Sequence, residues 1–60
     1  MSNLKKMIME KGLKQKDVAR MAGIRYKTLN RQCNTGIKTS RIAKNYARVL
    51  GCNPAELLEF

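Results

Sequence analysis

At 60 residues the chain is expected to hold a single domain, 1-60, whose small core leaves little room for a buried catalytic cavity, and its apolar content of 43% is enough for a helical mini-core. Thirteen Lys and Arg against four Asp and Glu leave a formal charge of +9, a positive field that draws polyanions, nucleic acid first. With no His, two separated cysteines, no paired carboxylates, no bilayer-length apolar run and no signal peptide, the expectation is neither enzyme, metal site, cofactor site nor membrane protein, and the expected compartment is the cytoplasm.

A first helix is expected from Asn3 to Lys11, where Leu4, Met7 and Ile8 share one face and Lys5, Lys6 and Glu10 point away. Lys5, Lys6 and Lys11 read as a solvated surface, and Met1 and Met9 as exposed. Gly12 ends the helix from the C′ position. The second helix begins after Leu13, is about two turns long, and buries Val18, Ala19, Met21 and Ala22 before Gly23 stops it. A third runs from about Tyr26 to Cys33, with Leu29 as its one clear inward position. Nearly everything else on it is polar or basic, which calls for a partner.

If Lys14 and Arg25 are the N-caps, Leu13 with Val18 and Ile24 with Leu29 form hydrophobic staples. Neither cap side chain can accept a backbone N–H, at roughly 1 kcal/mol each, and both charges oppose the helix dipole. A phosphate at the two N-termini would offset both terms, because helix N-termini bind anions. A cap one residue away is the alternative.

Asn34, Thr35 and Gly36 read as a loop, and a fourth helix runs from a Thr39 or Ser40 cap to Leu50. Its inward stripe is Ile42, Ala43, Tyr46, Ala47, Val49 and Leu50, with Lys44 and Arg48 in solvent. Gly51 ends it. Asn53-Pro54-Ala55-Glu56 then supplies an N-cap, a proline at N1 and a glutamate at N3, so a fifth, short helix is expected. Cys52 and Leu57 form its staple, which makes Cys52 a small buried hydrophobe rather than a redox group.

The functional stretch is Gln15 to Arg31, two short helices meeting at a tight glycine turn. Small Ala19 lets the helices approach, Gly23 makes the turn, Ile24 plugs the gap and Leu29 anchors the second helix. Left exposed are Tyr26, Lys27, Asn30 and Arg31, a row suited to base edges and phosphates in a major groove. For Tyr26 a packing role is the alternative.

In their order and spacing, Lys11-Gly12-Leu13, Gln15, Val18-Ala19, Ala22-Gly23-Ile24, Leu29, Leu50-Gly51 and Asn53-Pro54-Ala55-Glu56-Leu57-Leu58 resemble the lambda-repressor-like helix-turn-helix domains. These are the domains of phage Cro proteins, phage repressors and many small bacterial regulators, and the resemblance covers nearly the whole chain. It implies a compact, all-α, five-helix domain with the helix-turn-helix at helices 2 and 3. It also implies sequence-specific binding of double-stranded DNA and transcriptional regulation, of phage or prophage type, as a homodimer on a palindromic operator.

By the same resemblance Tyr26, Lys27 and Arg31 fall where bases are contacted, and Asn30 joins them from the exposed row. Gln15 and Asn34 match phosphate-contacting positions, and Lys14, Arg25, Thr28, Lys38 and Arg41 complete the expected backbone-contacting set. The chain departs from the family pattern in its caps, in Gln32, where an apolar or aromatic residue is common, and in a loop before helix 4 that is one residue short. Leu58 and Phe60 are candidates for a dimer contact, the free chain being monomeric; in the other reading Leu57 and Phe60 close the monomer's core. A nonspecific basic nucleic-acid-binding module and an antitoxin-like protein-interaction module remain as alternatives, and no small-molecule ligand is expected.

Overall fold

The computed structural model describes residues 2–59, so Met1 and Phe60, with the expectations placed on them, lie outside the described residues. Four α-helices form: α1 (Asn3–Glu10), α2 (Gln15–Ala22), α3 (Tyr26–Thr35) and α4 (Ser40–Leu50). The helix α3 packs on α1 and α2, and α4 packs on α2 and on the segment that follows it.

The core gathers Leu4 and Ile8 from α1, Val18, Ala19 and Ala22 from α2, Leu29 and Cys33 from α3, and Ala43, Tyr46, Ala47 and Leu50 from α4. Met7, Leu13, Ile24, Ile42, Val49 and Cys52 pack against it half-buried. The expected burial of Met21 is corrected, since its side chain is 45% exposed. At ~100° per residue, Val18, Ala19 and Ala22 form a narrow arc, and Met21 lies roughly a quarter-turn off its centre. Ser2, not foreseen as a cap, starts α1 by accepting the Lys5 N–H at 3.1 Å.

The end of α3 also differs from expectation, because Asn34 and Thr35 belong to the helix and not to a loop. Burial of Cys33 carries the inward stripe one turn further, and the Thr35 hydroxyl donates to the Arg31 carbonyl at 3.0 Å. Termination falls to Gly36, at φ 87° and ψ 166°, a region that in practice only glycine occupies.

The expected fifth helix is a single 3-10 turn, Pro54–Glu56, so the described residues form four α-helices and not five. Its start is as expected: the Asn53 side chain accepts the Ala55 N–H and the Glu56 carboxylate accepts the Asn53 N–H, each at 3.0 Å. Propagation fails because the chain turns extended to make other contacts. Leu57 is fully buried and Leu58 pairs with the buried Ile37 in an isolated parallel bridge. The Glu59 N–H donates to the Ile37 carbonyl at 2.9 Å, the Asn3 side-chain amide donates to the Leu58 carbonyl at 3.3 Å, and the Asn3 N–H donates to the Glu59 carboxylate. The segment Leu58–Glu59 is thereby fastened both to Asn3 at the start of α1 and to Ile37 in the loop that follows α3.

Gln32 takes its unusual place for a local reason. The buried Tyr46 hydroxyl donates to its side-chain oxygen, which satisfies a polar group that an apolar neighbour would leave unpaired. Burial first, and the neighbouring Cys33 second, push the Tyr46 phenol from 10.0 up to about 12. The folded chain therefore holds this proton more tightly than the unfolded chain, and the resulting stabilisation is complete below pH 10.0 and lost as pH rises through about 12. Urea midpoints measured between pH 8 and 11.5 should fall more steeply for the parent than for Tyr46→Phe. The variant should itself be about 1 kcal/mol less stable at neutral pH.

Candidate nucleic-acid interface

The turn between α2 and α3 is built as the spacing requires. Gly23 adopts the left-handed conformation at φ 72°, and the Ile24 N–H returns to the Ala19 carbonyl at 3.0 Å. This 6→1 bond closes α2 and lays Ile24 against the core, from which α3 departs in a fixed direction. On the far side of α2, the Asn45 side-chain amide donates to the Ala22 carbonyl at 3.1 Å, holding the end of α2 on α4.

Lys14 and Arg25 are the N-caps of α2 and α3, both extended and neither making a side-chain capping bond. Two helix N-termini are thus left with unsatisfied N–H groups beside cations. Replacing either residue with Ser should stabilise the free protein by about 0.5–1 kcal/mol, read as a higher thermal midpoint. The same change should weaken binding of duplex DNA.

The outer face of α3 carries Tyr26, Lys27, Asn30 and Arg31, all exposed, while Leu29 and Cys33 are buried behind them. Because the helix continues to Thr35, Asn34 sits one turn beyond Asn30 and Arg31, and two beyond Lys27, on that same face rather than in a loop. Lys27, Thr28 and Arg31 line a shallow groove of about 340 Å³. Half-buried Thr28 also borders a second, more apolar cleft of about 250 Å³ that it shares with Ile24, Ile42 and Arg41. Of the other expected contacts, Lys14, Arg25, Lys38 and Arg41 are exposed and Gln15 is half-buried. Lys38 stands apart from the groove, its ammonium donating to the Glu59 carbonyl at 3.3 Å. Leu58 is half-buried in its bridge with Ile37.

Among the described residues no carboxylate lines the α3 groove. Asp17 pairs with Arg20 at 3.3 Å, Glu56 closes its capping box, Glu59 accepts from Asn3, and Glu10 lies beside Lys11 and Cys52 in a separate depression. With three of the acids bonded elsewhere and Glu10 in a different depression, the face of α3 keeps its positive charge. Both cysteines are free thiols. Burial raises the pKa of Cys33 against a lowering by Lys5, and burial with Glu56 raises that of Cys52 against Lys11, so both stay protonated at neutral pH.

One residue of the site is missing from the sequence reading. The Lys16 ammonium stands 5.9 Å from the centroid of the Tyr26 ring, joining the first turn of α2 to the first turn of α3. A contact between two helices leaves no periodicity to find, and only the fold brings the pair together.

A short α2, a glycine turn and an anchored α3 with a polar outer face define a helix-turn-helix protein. A family model described as the Cro/C1-type HTH DNA-binding domain matches residues 3–60, and the chain belongs to that family. It is a DNA-binding transcriptional regulator of a non-enzymatic family, consistent with the lambda-repressor-like resemblance of its sequence. No curated protein and no solved structure matches it. Among the described residues no helix is long and apolar enough to cross a membrane.

Proposed function

We propose that residues 1–60 act as one unit in the cytoplasm, a sequence-specific regulator of phage or prophage type that lays α3 in the major groove of an operator. The observation that carries this reading is the uncovered row on α3, polar along one face and buried along the other, beside a groove that no carboxylate of the described residues lines. An α-helix with its side chains is ~10–12 Å across, and a B-DNA major groove ~12 Å wide admits it. Tyr26, Lys27, Asn30 and Arg31 read base edges. Lys14, Gln15, Arg25, Thr28, Asn34, Lys38 and Arg41 hold the backbone, with the uncapped N-termini of α2 and α3 directed at phosphates.

Two copies bind the half-sites of a palindromic operator, and the free chain is monomeric. The body measures 25 × 21 × 20 Å, which lets two copies sit side by side at the ~34 Å separation of successive major grooves. Leu58 and Phe60 contribute the contact between copies.

The test is a salt-dependent titration of a selected duplex against a shuffled one, with Lys27→Ala and Arg31→Ala beside the parent. Each lost base contact should remove ~1–3 kcal/mol of discrimination, and each lost phosphate contact should flatten the log–log salt slope by about 0.9. Equal binding of all duplexes, governed by salt alone, would leave a nonspecific polycation in place of a reader.

A further inference from the structure

We infer that Lys16 is a specificity-determining positioning residue, which holds the Tyr26 ring from across the turn and so couples the backbone-facing helix α2 to base reading by α3. The inference rests on the proposed docking of α3 in the major groove and adds a residue to it. Three observations carry it. The Lys16 ammonium lies 5.9 Å from the ring centroid, within the range of a cation–π contact. Among the described residues Tyr26 has no hydrogen-bonded tether: the residue is 45% exposed, its hydroxyl finds no partner, and it is the first residue of α3, where one side of the ring faces no preceding helical turn. Among the described residues Lys16 in turn has no carboxylate partner, the neighbouring Asp17 being bonded to Arg20.

The physical consequence follows from geometry and solvation. In the free protein the pair is solvated and the contact is weak. When DNA covers the turn, water leaves the pair, and the attraction between the ammonium and the ring face strengthens. The ring is then held at one angle, and its hydroxyl meets one base step rather than sweeping over several. The ammonium keeps its donors directed outward, where a phosphate beside the first turn of α2 can accept them. Lys16 therefore does two things that an ordinary phosphate-binding lysine does not do together: it contributes to affinity, and it sharpens the choice of base at the position Tyr26 reads.

The experiment uses the full chain and every single-base-pair variant of the selected duplex. Parent, Lys16→Met, Lys16→Arg, Tyr26→Leu, Arg31→Ala and the double variant Lys16→Met/Tyr26→Leu are titrated at several salt concentrations. Lys16→Met keeps the aliphatic stem and removes the charge. It should relax discrimination roughly 3- to 10-fold at the base pair mapped by Tyr26→Leu and leave the pair mapped by Arg31→Ala unchanged. Lys16→Arg should restore it, since a guanidinium also stacks on a ring, and the double variant should discriminate no worse at that pair than Tyr26→Leu alone. In the free chain, the Lys16 side-chain methylene protons should show an upfield ring-current shift that Tyr26→Leu abolishes.

Uniform weakening of every duplex by Lys16→Met, with only the salt slope changed, would overturn the inference and leave the α3 reading intact. Loss additive with Tyr26→Leu, or absence of the ring-current shift, would do the same. If neither Tyr26→Leu nor Arg31→Ala alters discrimination, the reading by α3 fails and this inference fails with it.

Discussion

Gly36→Ala is expected to cost about 2–4 kcal/mol of stability, a large share of the ~3–9 kcal/mol available to a chain of this size. The backbone there lies at φ 87° and ψ 166°, where an L side chain is strained by ~1–3 kcal/mol. A Cβ would in addition come within 2.4 Å of the Glu59 Oε2 and 3.3 Å of the Glu59 Cβ. The carboxylate must then move, and its bond to the Asn3 N–H is broken, at ~1 kcal/mol more. Gly12 supplies the control, since it also has a positive φ of 68° but a Cβ there meets nothing within 4 Å. Gly12→Ala should cost only about 1–2 kcal/mol. Urea unfolding followed by circular dichroism separates the two, and equal losses would show that backbone strain alone, without Glu59, accounts for Gly36.

Leu29→Ala is expected to cost ~2–5 kcal/mol and to abolish DNA binding near 37 °C without removing any group that faces the duplex. Leu29 is fully buried, on the side of α3 away from Tyr26, Lys27, Asn30 and Arg31, and it fastens α3 to the core. Truncation leaves a cavity in a core to which the described residues contribute thirteen buried apolar side chains, with little surrounding mass to collapse into it. At low temperature in a stabilising osmolyte the variant should refold and recover its base preferences. Arg31→Ala under the same conditions should stay folded and still lack them. Recovery of stability without recovery of preference in Leu29→Ala would mean that the helix had shifted as well as loosened.

Much of the fold was legible because it is written locally. Gly12, Gly23 and Gly51 end their helices where expected, the staples Leu13 with Val18 and Ile24 with Leu29 locate the starts of α2 and α3, and the Asn53 capping box forms as spelled. What was illegible depends on residues far apart in the chain. The 3-10 turn stays one turn long because Leu58 meets Ile37, a partner that no helical periodicity could nominate. Asn34 looked like loop because polar residues before a glycine usually are; burial of Cys33 behind it carries the helix on. Met21 fits an apolar pattern by composition, but its angle on α2 places it at the edge of the stripe. For the site, the exposed row on α3 was visible as an excess of polar residues around Leu29, whereas the Lys16 contact with Tyr26 needed the turn to be folded first.

The fastening of the two chain ends bears on how the molecule folds. Asn3 and Glu59 are 56 residues apart in sequence yet hydrogen-bonded in space, whereas the turn between α2 and α3 closes over a few residues. Loop-closure entropy sets the order of events: the short connection can form in an early nucleus, and the junction of the ends must wait until most of the chain is already in place. The junction is correspondingly the place where native fluctuations open first, so amide exchange at Glu59 should outpace that at Ile24. Such an opening would release Ile37 and Leu57 while the turn that aims α3 stayed closed, a partly unzipped state in which the reading head keeps its shape after the clasp behind it has let go.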